Sequence, residues 1–312
     1  MFSKKIRIKT VTSLIKRYQR FIAVSVLVVT ALLIARFVFL HRNYFSELLR
    51  INPYIILLLI FMYSIMLVVW TLQYDLLIRL CGKRIPKSEN FLLTCYSSVI
   101  NFFGPLQSGP GVRAVYLKNI HQIRMRDYFK VTLWYYGLFA LISGVFLVFG
   151  NRNIWLMIFV LVITIGIATI VHHRFATKSF PYHKSRSTLF FILLAFAVLA
   201  QVWLTSIIYF TELHVTNHAI HYSQAVSYTG AGNFAMFVSL TPGAIGFREA
   251  FLIASTHIHK IAITNIIAAS VIDRGIYCVL LAGVFLVTFV FKTQQRFKTN
   301  RSLGAKKKVI ES

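Results

Sequence analysis

The chain has 312 residues, 57% of them hydrophobic and 13% charged, with a formal net charge of +26. A soluble domain cannot bury that much apolar surface, so the composition excludes a soluble globular fold and leaves a polytopic membrane protein. The basic residues fall between apolar runs, which makes them loop charge beside a membrane and not a nucleic-acid surface.

In chain order, residues 1–20 form a basic, amphipathic segment with Lys4, Lys5, Arg7, Lys9, Lys16, Arg17 and Arg20, suited to an anionic membrane surface. The first apolar span is 21–40. It follows a basic leader but has no A-x-A-like cleavage site, so it reads as a retained anchor. Arg36, near its far end, snorkels to the interface. Pro53 suits a first helical turn and opens span two, 53–74. A basic loop with Arg79, Lys83, Arg84 and Lys87 follows.

The next apolar segment, 89–118, cannot be one helix. Its stretch 101–117 reads NFFGPLQSGPGVRAVYL. In a helix interior glycine costs about 1 kcal/mol and proline about 3. Both flanks are basic, so the segment is expected to enter and leave the membrane on the same side, as a re-entrant hairpin. Span three is 129–150, with Trp134, Tyr135 and Tyr136 as an interfacial aromatic belt. Asn151-Arg152-Asn153 turns it into span four, 154–172. A basic loop, 173–187, leads to span five, 188–211, and then to 212–224, which has no Lys or Arg. The second interrupted segment is 222–260, and its stretch 233–252 reads NFAMFVSLTPGAIGFREAFL. Span six is 262–291, and a basic tail, 292–312, closes the chain.

The expected fold is therefore all-α, with about six transmembrane helices and two re-entrant hairpins. Of 34 Lys and Arg residues, 26 lie in segments on one side, four lie on the other, and Arg36, Arg113, Arg248 and Arg274 lie in apolar segments. That split places both termini in the cytoplasm. One transmembrane domain, 21–291, is expected between the two basic ends. Its halves, 21–150 and 154–291, each run span, span, hairpin, span, in inverted orientation. Interrupted segments at matching positions of inverted halves point to a transporter binding site.

The residues that carry chemistry sit at the two breaks. Each break is followed by a helix whose free N–H groups and positive dipole end favour an anion. Arg113 and Arg248 are expected in those first turns. Amide donors beside a planar guanidinium suit a phosphate group. Glu249 and Asp273 are the alternative partners for these arginines, and Arg274 is either a third phosphate contact or the partner of Glu249. Gly111, Gly243 and Gly246 allow close backbone approach to a ligand. Asn101 and Asn233 either cap and contact a head group or simply pack. His214, His218 and His221 share a helix face, but acidic ligands are scarce there and no metal is expected. Cys81, Cys95 and Cys278 have no paired spacing, so neither disulfide nor metal site is expected. No nucleotide-binding, zinc-protease or nucleophile-elbow motif is present, and no cofactor is expected.

The two stretches NFFGPLQSGPGVRAVYL and SLTPGAIGFREAFL resemble the signature stretches of the lysylphosphatidylglycerol synthase transmembrane-region family, which includes the flippase half of bacterial multiple-peptide-resistance factors. The run from Pro242 to Ala250 resembles the family's P-G-G-x-G-x-R-E-A. The first stretch departs from the commoner L-P-x-x-x-G-G-D form, with Gly111-Val112 in place of the acidic residue. The resemblance covers roughly 20–291, and through it Arg113, Arg248, Glu249 and Arg274 match the family's charged positions. It implies a standalone, flippase-like member in a prokaryotic inner membrane that handles a lipid with an anionic, phosphate head group. It also implies no synthase domain, no enzyme activity and no aminoacylation of lipid. The alternative is a non-transporting scaffold that assists envelope lipid or glycolipid assembly. A homo-oligomer stays open.

Overall fold

The computed structural model describes residues 51–103, 108–151, 153–175, 184–237 and 247–310, all within the unit that runs from Leu48 to Ser312. The N-terminal segment, span one with Arg36, and the two breaks at 104–107 and 238–246 lie outside the described residues.

Every described element is a helix. Helix α1 is Pro53–Leu80, and it starts where the Asn52 side chain accepts the Tyr54 N–H at 3.0 Å, with proline in the first turn. It runs past the expected end at 74 because Asp75 and Arg79 pair at 2.7 Å, one turn apart, and neutralise each other on the helix. Helices α2, Lys87–Phe103, and α3, Gly109–His121, flank the first break. α4 is Met125–Phe149, and α5 is Ile154–Phe175, capped by Asn153, whose side chain accepts the Trp155 and Leu156 N–H groups. α6 is Lys184–Thr216, five residues longer at its end than the expected span. Helices α7, Tyr222–Phe237, and α8, Phe247–Ala254, flank the second break. A single turn, α9, Thr256–His259, leads into α10, Ile263–Ile310.

Five of these helices are long and apolar enough to cross a membrane: Pro53–Leu80, Met125–Phe149, Ile154–Arg174, Arg186–Thr216 and Ile263–Leu286. The helices beside the breaks are too short to do so alone. The α10 span is 67% buried and the α5 span 17%, so α10 belongs to the interior and α5 to the periphery. Trp155, Phe159, Val162 and Ile170 of α5 face outward, as lipid contact requires.

The packing comes in pairs. α1 packs along α6, each the helix before a broken segment. α2 packs on α1 as α7 packs on α6, and α3 on α2 as α8 on α7. α4 lies on α7, and its counterpart contact joins α10 to α2. The α4–α7 contact is closest at Gly230, where an added Cβ would stand 2.3 Å from the Leu147 amide nitrogen. At Gly150, just past α4, a Cβ would come within 2.8 Å of the Ser227 amide nitrogen. Gly109 gives α2 and α3 the same proximity, with Ser97 O at 2.6 Å from a Cβ there.

The aromatic run 134–136 does not form an interfacial belt. Tyr135 is buried and donates its hydroxyl to Gln201 Oε1 at 3.2 Å, while Trp134 meets His172 and Phe191 edge to face. Ring contacts with His172 of α5 and Phe191 of α6, and the Gln201 acceptor on α6, draw Trp134 and Tyr135 inward. His257 and His259 diverge: His257 is exposed, and His259 is buried against Leu252 O at 2.9 Å. The three cysteines are buried free thiols, and burial pushes the Cys81 thiol up to about 12, so it keeps its proton near neutral pH.

Gly230→Ala should lower the unfolding midpoint in detergent, by an equivalent of about 1–3 kcal/mol for overpacking. Gly166→Ala, in an α5 position with nothing within 4 Å of the added Cβ, should leave it unchanged or raise it.

Candidate functional site

The charged residues of the second half meet where α8 faces α10. Arg248 is the second residue of α8 and shares its buried face with Leu252, one turn on. Arg248 Nη1 donates to Asp273 Oδ2, and Arg274 Nη2 donates to Glu249 Oε1 at 2.6 Å. Adjacent residues Arg-Glu on one helix therefore face adjacent residues Asp-Arg on the other, giving two side-by-side ion pairs of opposite sense. Arg248 and Arg274 are 5% and 6% exposed, a depth at which a charge needs an opposite charge or neutral polar partners. The Tyr209 ring lies under the Arg248 guanidinium at 4.8 Å.

Each guanidinium offers five N–H donors. Arg248 Nε and Nη2 and Arg274 Nη1 have no hydrogen-bond partner among the described residues. Both arginines line a cavity of about 160 Å³ whose wall also includes Trp70, Asn101, Asn233 and Tyr277. A second cavity of about 120 Å³ shares Trp70, Asn101, Gln201 and Tyr277 with it and reaches Tyr74, Ser97 and Gly109 at the first hairpin. Between them Gln73 Nε2 donates to Gln201 Oε1 at 2.8 Å, tying α1 to α6.

Arg113 lies one layer behind the second cavity and is 0% exposed. It is the fifth residue of α3, in the second turn and not the first as expected. No carboxylate pairs with it among the described residues. Neutral groups hold it: Ser97 Oγ at 2.7 Å, Asn90 Oδ1 at 3.5 Å, and the face of Tyr74 at 3.3 Å. Asn90 is itself fixed by donating to Thr71 O at 2.8 Å.

The structure thus brings together Arg248, Glu249, Asp273, Arg274, Asn101 and Asn233. Asn101 Oδ1 is buried without a partner among the described residues, and Asn233 Nδ2 donates to Ser143 Oγ at 3.2 Å. Gly111 is exposed on the outer side of α3, away from this group, with nothing within 4 Å of a Cβ there. Gly243 and Gly246 lie outside the described residues. His214 and His218 rings stand 4.7 Å apart, and no three His, Cys, Asp or Glu among the described residues are placed to hold a metal.

Sequence reasoning missed Glu212 and Tyr63. Glu212 is 1% exposed, and the Tyr63 hydroxyl contacts both Glu212 Oε1, at 3.2 Å, and Asp273 Oδ1. Ending span five at 211 left Glu212 in the following loop. An acidic residue directly after an apolar run in a chain with eight acids was the available signal.

Arg248→Met should cost about 3–5 kcal/mol of stability in detergent, because Asp273 is left uncompensated. The double variant Arg248→Met/Asp273→Leu should recover most of that loss, since an apolar replacement of both partners is close to neutral.

A family model described as the lysylphosphatidylglycerol synthase transmembrane region matches residues 22–284. No curated protein and no solved structure matches the chain. The matched region holds both hairpins, both cavities and all four charged residues of the α8–α10 contact. Matched over most of its length and built of apolar helices around buried ion pairs, the chain is a multi-pass membrane protein that belongs to the lysylphosphatidylglycerol synthase transmembrane-region family.

Proposed function

We propose that this protein binds a membrane lipid through an anionic, phosphate head group and moves it across the bilayer without nucleotide hydrolysis. The observation that carries the reading is the set of unpartnered N–H groups that Arg248 and Arg274 hold in a cavity wall. A phosphate oxygen is the acceptor that suits a planar guanidinium best. Arg113 adds a buried positive charge beside the adjoining cavity, with no carboxylate among the described residues to cancel it. Aromatic walls at Trp70 and Tyr277 suit the glycerol and upper acyl part of a lipid.

The heights of the two stations support a crossing in steps. Tyr63 and Asp273 touch, and each lies about ten residues, or about 15 Å, from the start of its helix. The charge distribution puts those helix starts outside and the start of α2, with Asn90, inside. Arg248 and Arg274 then serve the outer half of the membrane and Arg113 the inner half. In this reading the domain is 21–291 with halves 21–150 and 154–291, the hairpins are re-entrant, and both termini are in the cytoplasm of a prokaryotic cell with the domain in its inner membrane.

Vesicles containing the protein and a trace of fluorescent phosphatidylglycerol test the transfer, with a quencher that reaches only the outer leaflet. The parent should equilibrate the label between leaflets, and Arg274→Ala should slow this by about 10- to 100-fold, the worth of a charge-assisted hydrogen bond. Arg274→Lys should recover part of the rate, because the planar fork is lost but the charge stays. Transfer by the Arg113→Ala, Arg248→Ala and Arg274→Ala variants at the parent rate would reject the site.

Orientation is tested separately. With the native thiols buried, a membrane-impermeant thiol reagent applied outside should label Val215→Cys and Arg152→Cys. It should not label Lys83→Cys or Gln122→Cys. Labelling of Gln122→Cys would place the first hairpin on the other side.

A further inference from the structure

Glu212 belongs to neither ion pair of the α8–α10 contact. It sits about one turn before the end of α6. Its carboxyl oxygen meets the Tyr63 hydroxyl at 3.2 Å, and the same hydroxyl contacts Asp273 Oδ1. The other oxygen of Asp273 accepts from Arg248. A phenol O–H carries one hydrogen, so it donates to one carboxylate only. Its contact with a second carboxyl is a hydrogen bond when that carboxyl supplies the hydrogen. Arg248 holds Asp273 as the anion, which makes Asp273 the acceptor and Glu212 the acid that carries a proton.

The surroundings agree. Tyr63 on α1, Asp273 on α10, Arg248 on α8 and Tyr228 on α7 face Glu212, together with Tyr209 of its own helix. The Glu249–Arg274 pair lies beside them. Arg248, the one cation in this set, is already bound to Asp273. A buried carboxyl without its own cation is neutral, not charged.

We propose that binding of a phosphate head group at Arg248 and Arg274 is coupled to uptake of one proton through Glu212, Tyr63 and Asp273. The coupling rests on the head-group reading above. A phosphate oxygen that accepts from Arg248 takes the cation away from Asp273, whose carboxylate becomes a base in apolar surroundings. The Tyr63 O–H proton passes to Asp273, and the Glu212 proton passes to the Tyr63 oxygen. Glu212, now ionised and unpaired, takes one proton from water. Two O–H bonds break, at Tyr63 and Glu212, and three form, at Asp273, Tyr63 and Glu212, the third with the incoming proton. The phosphodiester brings one negative charge and the proton one positive charge, so the charge inside the site does not change. Head-group binding is thereby linked to proton concentration, without any nucleotide.

Two measurements on the purified full chain test this. Infrared spectroscopy at neutral pH, without added lipid, should show a protonated-carboxyl C=O band that is lost in Glu212→Gln and kept in Tyr63→Phe. A spectrum with no Glu212-dependent band overturns the assignment of the proton, whatever the lipid does. Calorimetric titration with dihexanoyl phosphatidylglycerol in two buffers of different ionisation enthalpy should show uptake of about one proton per lipid bound, by linkage. Glu212→Gln should lose that uptake. Binding by the parent with no proton uptake overturns the coupling and leaves the head-group reading standing. No binding by the parent, with the Glu212 band present, sinks the head-group reading and the coupling while keeping the resting proton on Glu212.

Discussion

Two arginines and two carboxylates pair between α8 and α10, with Arg248, Asp273 and Arg274 buried and Glu249 at the partly exposed edge. Taking a charge out of water costs several kcal/mol even after relaxation, and attraction to a partner offsets that only when geometry is good. The register of Arg248-Glu249 against Asp273-Arg274 supplies such geometry with no side chain crossing another. It also sets the position of α8, an eight-residue helix too short to be stable alone. Everything at the centre depends on this contact: the Tyr209 ring beneath Arg248, the Tyr63 hydroxyl on Asp273, and the cavity wall the two guanidinium groups form.

The first half solves the same problem with different chemistry. Arg113 has no carboxylate among the described residues and is held by a serine, an asparagine and an aromatic face. Those partners spread the charge but do not cancel it. The two charged groups therefore present unequal electrostatics to adjoining cavities: a paired cluster with spare donors at one, and an uncancelled cation behind a polar wall at the other. Gln201 lines both cavities and accepts from the buried Gln73, a neutral hydrogen-bonding pair between the two charged groups.

Much of this was legible in the amino-acid sequence, for identifiable reasons. Apolar runs and Lys/Arg clusters are strong one-dimensional signals, so spans two to six appear close to where they were expected. Gly104-Pro105 and Pro242-Gly243 lie outside the described residues, in the segments between α2 and α3 and between α7 and α8, while Pro110 sits in the first turn of α3, where its missing N–H costs nothing. Span ends were read less well. Charges were taken as stops, whereas Asp75–Arg79 pairs on the helix and Glu212 is buried against Tyr63, so both helices continue. Pairing choice was also hidden: Arg248 and Arg274 each had two candidate carboxylates, and only the α8–α10 register decides between them. The Trp134–Tyr136 run shows the same limit, since an aromatic cluster has one composition whether it faces head groups or His172 and Gln201.

The duplicated packing has uneven stiffness. At the α4–α7 contact, Gly230 brings backbone against the Leu147 backbone, Gly150 sits against Val226 and the Ser227 amide, and Asn233 donates to Ser143 beside them. Its counterpart between α2 and α10 is made by rings, with Phe102 and Tyr277 edge to face at 5.4 Å. Rings can slide and re-tilt within a fraction of an ångström of their packing distance, while a glycine seam has no such play. A rearrangement that keeps the α4–α7 seam shut must be absorbed at the aromatic one. The molecule has in effect a fixed jaw and a sprung one, and the cavity lies between them.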